Sequence, residues 1–291
     1  MSYEEQISTA HPGCMIVMLD QSKSMAEDWG DDGSTKADVL ADTVNELLAT
    51  AVVRCTSGSD VRDRFEIGLL GYRNDVVCDI LDESSSASPG WRLSLRPISE
   101  IAKKPLRIED RVQTVEDRNG QMREAPYKMP IWLEPEAVGS TPMSAAFMAV
   151  IDAADRWVES HRKSFPPLVF NITDAAATDG NPEELAGQLR SLETQDGTTL
   201  LFNIHVSQSA HRSLIFPQSD QSLSGDHYAA LLYRMSSVLP ASMVRAAKDA
   251  GIEAGPSSRA FAHNADPANL IEVLDVGSVP LLGPNVFSSK R

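Results

Sequence analysis

The sequence predicts an α/β protein: a mostly parallel central sheet with helices on both faces and an inserted β-hairpin arm. Three observations predict this class. Short, uninterrupted apolar runs recur along the chain, as strands covered on both faces require. Segments with helical spacing of apolar residues separate these runs, and that alternation belongs to a parallel sheet. One long polar stretch breaks the rhythm and holds Asn119-Gly120 between two alternating segments, a strong hairpin signal.

Taken in order, residues 14–20 run from Cys14 through apolar residues to Asp20 and read as the first strand. After a loop rich in Asp and Gly, residues 36–55 place Val39, Leu40, Val44, Leu47, Leu48 and Ala51 at helical spacing, and Ser57-Gly58 ends the segment. Residues 65–72, 168–174 and 199–206 are three further apolar strands. Helical patterns fill 142–160 and 182–192, the second with Asn181 as N-cap and Pro182 at the first helical position. Residues 228–250 read as helices around Pro240, 260–262 as a final short strand and 267–274 as the last helix. The expected boundaries are an N-terminal extension at 1–13, the domain at 14–275 with its arm at 76–135, and a tail at 276–291. Inside the arm, 111–117 and 122–129 are the alternating segments, and Ser84-Ser85-Ser86 reads as a loop tip.

Charge narrows the function. Acidic residues number 41 against 26 basic, a net charge of -15, and no basic stripe offsets it. Such a surface repels phosphate backbones and anionic lipid, so neither nucleic acid nor membrane is an expected partner. Residues 1–12 are polar and acidic, without the apolar core of a signal peptide, and no run approaches the roughly 18 apolar residues of a spanning helix. A cytoplasmic location is the expectation. Cys14, Cys55 and Cys78 are odd in number and lack C-x-x-C spacing, which points to reduced structural thiols.

Chemistry concentrates at strand ends. Asp20, Ser22 and Ser24 alternate where the first strand finishes, at the edge where open α/β sheets bind ligands. Three hard oxygen donors on a tight turn suit Mg²⁺, although a helix cap uses the same residue types. Thr141, in Gly139-Ser140-Thr141-Pro142, and Asp174, after Asn171-Ile172-Thr173, bring two more oxygen donors to that edge. Taken singly, Thr141 reads as an N-cap and Asp174 as a loop cap.

As an ordered set, these residues resemble the metal-ion-dependent adhesion site of von Willebrand factor A (vWA) domains: Asp-x-Ser-x-Ser, a Thr in a Gly-x-Thr-Pro type turn, then an Asp after a later strand. The resemblance covers about residues 14–275, with the arm outside it, and implies a Rossmann-like three-layer vWA fold. It implies Mg²⁺, or Mn²⁺ or Ca²⁺, with Ser22 and Ser24 as direct ligands and Thr141 direct or through water. Asp20 and Asp174 would act mainly through water or by holding the hydroxyls. Many relatives have Thr-Asp-Gly where this chain has Thr173-Asp174-Ala175; Thr178-Asp179-Gly180 follows, so Asp179 is the alternative last ligand. Asp174 is preferred because it directly ends the apolar strand.

The resemblance also implies a mode of action. With neutral hydroxyls nearest the ion, a divalent cation keeps much of its charge and an open position, which an acidic side chain of a protein partner completes. Glu27, Asp28, Asp31 and Asp32 lie in the adjoining loop, either gathering cations or forming a solvated acidic face. Family analogy points to a bacterial adaptor in stress or tellurite-resistance-like signalling with a kinase or phosphatase, or alternatively to a partner subunit of an AAA+ ATPase in a chelatase-like complex.

Enzymatic readings fare worse. A Mg²⁺-dependent phosphatase using Asp20 as nucleophile needs a second carboxylate two residues on, where Ser22 stands. Nucleophile-elbow, P-loop and dinucleotide fingerprints are missing. An EF-hand starting at Asp28 fails at Gly30 and Val39, and His205, His211 and His227 are too irregularly spaced for zinc, His205 reading as structural. A non-enzymatic binding protein is therefore expected. The base of the arm is expected near the metal-bearing edge, with Trp91, Tyr127, Ile131 and Trp132 either packing it down or meeting a partner.

Overall fold

The computed structural model describes residues 2–29, 33–82, 90–116, 121–207, 213–223 and 226–284. In chain order, β1 (Gly13–Asp20) leads to α1 (Lys36–Cys55), a small antiparallel pair β2 (Thr56–Ser57) and β3 (Asp60–Val61), then β4 (Phe65–Arg73), β5 (Val76–Asp79) and β6 (Arg96–Pro97). Next come α2 (Ile98–Lys103), the hairpin strands β7 (Arg107–Glu116) and β8 (Met122–Ile131), α3 (Met143–Ser160), β9 (Leu168–Thr173) and α4 (Glu183–Ser191). The chain finishes with β10 (Leu200–Val206), β11 (Leu214–Ile215), α5 (His227–Met235), α6 (Ala241–Asp249), β12 (Phe261–Ala265) and α7 (Pro267–Leu282).

The main sheet has the order β11-β12-β10-β9-β1-β4-β5, with β6 also paired to β4. The five long strands β12, β10, β9, β1 and β4 run parallel, and the antiparallel members are the short edge pieces. Alternating side chains of β1 divide the interior. Met15, Val17 and Leu19 face the layer of α1, α2, α6 and α7, whereas Cys14, Ile16 and Met18 face α3, α4 and α5. A strand buried on both faces explains why β1 reads as one apolar run. The result is the expected three-layer α/β fold, a mostly parallel sheet with seven α-helices around it among the described residues. No helix among these residues is long and apolar enough to cross a membrane. All three cysteines are buried, and none of them forms a disulfide among the described residues.

Four boundaries differ from the sequence reading. Val76–Asp79, expected at the start of the arm, instead closes the edge of β4, and Arg96–Pro97 pairs with β4 as well. The cause is local charge: the buried carboxylate of Asp79 accepts from Arg96 Nη1 at 2.8 Å, tying these two segments to the sheet. The hairpin proper spans β7 and β8, with its strands longer than the alternating segments; Asp117, Asn119 and Gly120 lie outside the described residues, as do Ser84-Ser85-Ser86. The last strand, expected at 260–262, runs from Phe261 to Ala265, and the last helix passes Leu274 and ends at Leu282. Asp275, Val276, Gly277 and Ser278 are buried, with Gly277 packed against Phe170 and Phe202, so packing carries the helix through residues whose polarity and glycine would end it in a linear reading.

The arm lies along α1 rather than at the strand ends. Asn45 of α1 holds its base: Asn45 Oδ1 accepts from the N–H of Trp132 at 2.8 Å and of Leu133 at 3.2 Å, and Asn45 Nδ2 donates to Leu133 O at 3.0 Å. Arg111 pairs with Asp42. Asn45 stands about two and a half turns beyond the start of α1. Trp132 is buried, donating its indole N–H to Ile101 O at 2.8 Å, and Ile131 is buried with it; Trp91 and Tyr127 are half-buried.

Candidate functional site

The strand order creates the site. From β1 the chain moves through α1 to β4 on one side, and returns to β9 on the other side of β1. The switch point therefore lies between β1 and β9, and ligands of open α/β sheets bind beyond the carboxyl ends of such strands. Asp20 ends β1, and Asp174 follows the last residue of β9.

Four of the five residues proposed from sequence form one connected cluster there. Asp20 is 1% exposed; its Oδ1 accepts from the N–H of Ser22 at 2.8 Å and its Oδ2 accepts from Thr173 Oγ1 at 2.6 Å. Ser22 and Ser24 hydroxyls lie 3.1 Å apart, and Ser24 donates to Asp174 Oδ1 at 2.6 Å. Burial pushes the Asp20 carboxyl up to about 6, partly opposed by its hydrogen bonds from Ser22 and Thr173. Thr173, absent from the sequence reading as a functional residue, is the group that orients Asp20.

Thr141 reaches the same edge on a separate loop. Gly139 O accepts from Lys23 N–H at 3.1 Å, and Gln21 O accepts from Val138 N–H at 2.7 Å, laying this loop against the β1 turn. The β4–β5 turn braces it from outside, with Asn74 N–H donating to Ser140 O and Ser140 Oγ to Asp75 Oδ1 at 2.6 Å. Gly139 is required there: its φ is +71°, and a Cβ would stand 2.6 Å from Asn74 Cα. Thus the segment returning from the arm, not the hairpin, runs to the site.

The competing cap readings separate cleanly. Asp179 serves the α3 N-terminus, accepting from Ser144 N–H at 2.9 Å and Ala145 N–H at 2.8 Å. Thr141 does not cap that helix, and its backbone instead exchanges hydrogen bonds with Thr178. Asp174, not Asp179, is the carboxylate that meets Ser24.

The sequence reading overlooked Lys36. A capping box between Thr35 and Asp38 starts α1, making Lys36 its first helical residue. Its ammonium donates to Asp174 Oδ2 at 2.8 Å and to Glu27 Oε2 at 2.6 Å, while its side chain is 5% exposed. Asp174 is 1% exposed at its side chain and Glu27 67%. Burial draws the Lys36 ammonium down, but the hydrogen bonds and charges of Asp174 and Glu27 outweigh it, and the net shift is upward. A lysine opening an acidic helix reads as solvated in sequence, so only the fold reveals this contact. Trp29 was overlooked too: it is buried and donates its indole N–H to Ser207 O at 3.1 Å, anchoring the loop beside the site. Gly30, Asp31 and Asp32 lie outside the described residues, as does His211. His205 packs edge-on to Tyr228 and stacks on His263 at 5.0 Å, a structural setting.

The donor set fits a hard divalent cation. Cis ligands of an octahedral Mg²⁺ at about 2.1 Å lie about 3 Å apart, and the two serine hydroxyls are already 3.1 Å apart. Ser22 and Ser24 would be its hydroxyl contacts, with the carboxylates of Asp20 and Asp174 hydrogen-bonded behind them.

No protein-family model and no curated sequence matches the chain. Solved structures similar to it include the vWF domain of the type V pili tip protein Mfa5 from Porphyromonas gingivalis, at 8% identity over 57% of this chain and 38% of that one, TM-score 0.33. The pilus adhesin SpaC from Lactobacillus rhamnosus GG aligns at 10% identity over 94% of this chain and 31% of its own, TM-score 0.44. The pilus adhesin RrgA from Streptococcus pneumoniae aligns at 14% identity over 60% and 22% respectively, TM-score 0.30. This chain spans less than two fifths of the length of each.

Proposed function

We propose that this chain is a non-enzymatic, vWA-type protein-binding module whose binding depends on a divalent cation at the β1–β9 switch point. The observation that carries the reading is the convergence of Asp20, Ser22, Ser24 and Asp174 into one hydrogen-bonded cluster, from segments 150 residues apart in sequence. Ser22 and Ser24 would hold the ion directly, Thr141 directly or through water, and Asp20 and Asp174 would orient those hydroxyls. When bound, Mg²⁺ or Mn²⁺ supplies an open coordination position for a carboxylate of the partner protein. Asp20 fixes the turn by binding the Ser22 N–H, and Asp174 aims the Ser24 hydroxyl.

The phosphatase reading loses support on the same geometry. Both oxygens of Asp20 accept hydrogen bonds and the residue is almost wholly buried, an arrangement that suits a structural anion and not an attacking nucleophile.

Thermal unfolding after EDTA treatment, with and without Mg²⁺ or Mn²⁺, tests the site, because a ligand of the native state alone must raise stability, by about 2.7 kcal/mol at a hundredfold excess over Kd. A metal-dependent rise in wild type that vanishes in Asp174→Ala is expected; no rise at millimolar metal counts against the reading. Capture of a partner in Mg²⁺ but not in EDTA then separates the proposed signalling adaptor, which would retain a kinase or phosphatase, from an AAA+ ATPase subunit.

A further inference from the structure

Lys36 occupies a place in the site that the cation-binding residues do not account for. Asp174 is shared: one oxygen accepts from Ser24 and the other from the Lys36 ammonium. The lysine is fixed at its backbone as well as at its ammonium. The Thr35–Asp38 capping box fixes the first turn of α1, the Lys36 N–H donates to Glu27 O at 3.0 Å, and Glu27 Oε2 accepts from Nζ. The N-terminal end of α1 adds the positive pole of a 20-residue helix on the same side.

We propose, resting on the cation-site reading above, that Lys36 is a resident positive charge that sets the metal affinity of the site. Of the carboxylates gathered here, Asp20, Asp174 and Glu27 carry three negative charges, and Lys36 cancels one of them within hydrogen-bond distance of Asp174. A divalent ion seated on Ser22 and Ser24 must share Asp174 with a like-signed group whose side chain is only 5% exposed. Coulomb repulsion at this range, little screened by water, keeps intrinsic affinity low. With a divalent ion bound, its charge and that of Lys36 balance the three carboxylates, where a site without Lys36 would keep one negative charge in excess, so an incoming carboxylate meets no net repulsion. Lys36 thereby couples metal retention to arrival of an acidic partner and acts as a positioning residue, not as a ligand.

The test is Mn²⁺ binding to the full chain, followed by electron paramagnetic resonance, for wild type, Lys36→Met, Lys36→Arg and Asp174→Ala, with circular dichroism of each metal-free protein. The expected result is tighter binding in Lys36→Met, on the order of tenfold, wild-type affinity in Lys36→Arg, and no site binding in Asp174→Ala. A purely structural lysine would instead lose affinity on substitution, so the direction of the change discriminates. Equal or weaker affinity in Lys36→Met, beside a wild type that binds one ion and an Asp174→Ala that binds none, overturns the role of Lys36 and leaves the cation site standing. Absence of binding in every variant removes the cation site and this proposal with it. Should Lys36→Met not fold, Lys36→Gln keeps a donor to Asp174 without the charge; affinity tighter than wild type supports the proposal, and affinity equal to or weaker than wild type overturns it.

Discussion

Replacing Asp174 by Ala in metal-free protein probes the buried pair with Lys36 independently of any cation. The substitution deletes a carboxylate whose side chain is 1% exposed and leaves an ammonium that is 5% exposed facing Glu27 alone, which is 67% exposed. Breaking a buried ion pair by removing one partner costs about 3–5 kcal/mol, because the other charge stays desolvated. Glu27 still accepts one hydrogen bond, so the loss belongs at the lower end, about 3 kcal/mol. Ser24 also loses its acceptor, adding about 0.5–1 kcal/mol. At about 2–4 °C per kcal/mol for a chain of this size, Tm falls by roughly 7–16 °C. The assay is thermal and urea unfolding in EDTA, with the Lys36→Met single variant and the double variant completing a cycle. The double variant, which leaves no charge stranded, is expected to be more stable than the sum of the singles implies, by about 1.5 kcal/mol or more. An Asp174→Ala protein within about 0.5 kcal/mol of wild type, together with an additive cycle, would refute the pair as a structural element.

Three other perturbations follow from the same contacts. Gly139→Ala forces a side chain onto Asn74 at a positive φ; a loss of about 1–3 kcal/mol is expected, with a smaller Mg²⁺-dependent rise in Tm as the Thr141 loop shifts. Asn45→Leu strands the N–H groups of Trp132 and Leu133 and the carbonyl of Leu133, costing about 3 kcal/mol or more, and limited proteolysis is expected to cut the hairpin sooner than in wild type. His205 supplies the pH prediction: burial, then the charge of His263, lowers its pKa from 6.5 to about 4. Its neutral form is the folded one, so its full contribution is present above pH 6.5 and is lost as pH falls toward 4, a span worth about 3 kcal/mol. His205→Phe should therefore lose less stability than wild type between pH 6.5 and 4, and parallel acid-unfolding curves would count against the assignment.

Much of the architecture was legible because its signals are local. The helix at Lys36–Cys55 has the bounds its apolar spacing indicates, and the run ending at Asp20 is buried along its whole length as a central strand. Asp20, Ser22 and Ser24 are close in sequence, so their grouping needed no fold. Asp174 was preferred over Asp179 because it directly ends an apolar strand, and the structure gives the second carboxylate a separate duty at the α3 N-terminus. The edge pieces β5, β6 and β11 were not legible, since strands of two to four residues carry too few positions for a period to register.

What the sequence determined by itself was the alternation of elements and the chemical identity of the donors, because hydrophobic periodicity and residue type act over a few neighbouring positions. What the tertiary structure alone decided was who stands next to whom. Lys36 lies 138 positions from Asp174, Thr173 lies 153 from Asp20, and Asn45 lies 88 from Leu133. Contacts of that separation are set by strand order and by the packing of α1 on the sheet. A charge that looks solvated in a linear reading thus becomes the buried partner of the site, because the switch between β1 and β9 brings its helix start to the same edge as the acid.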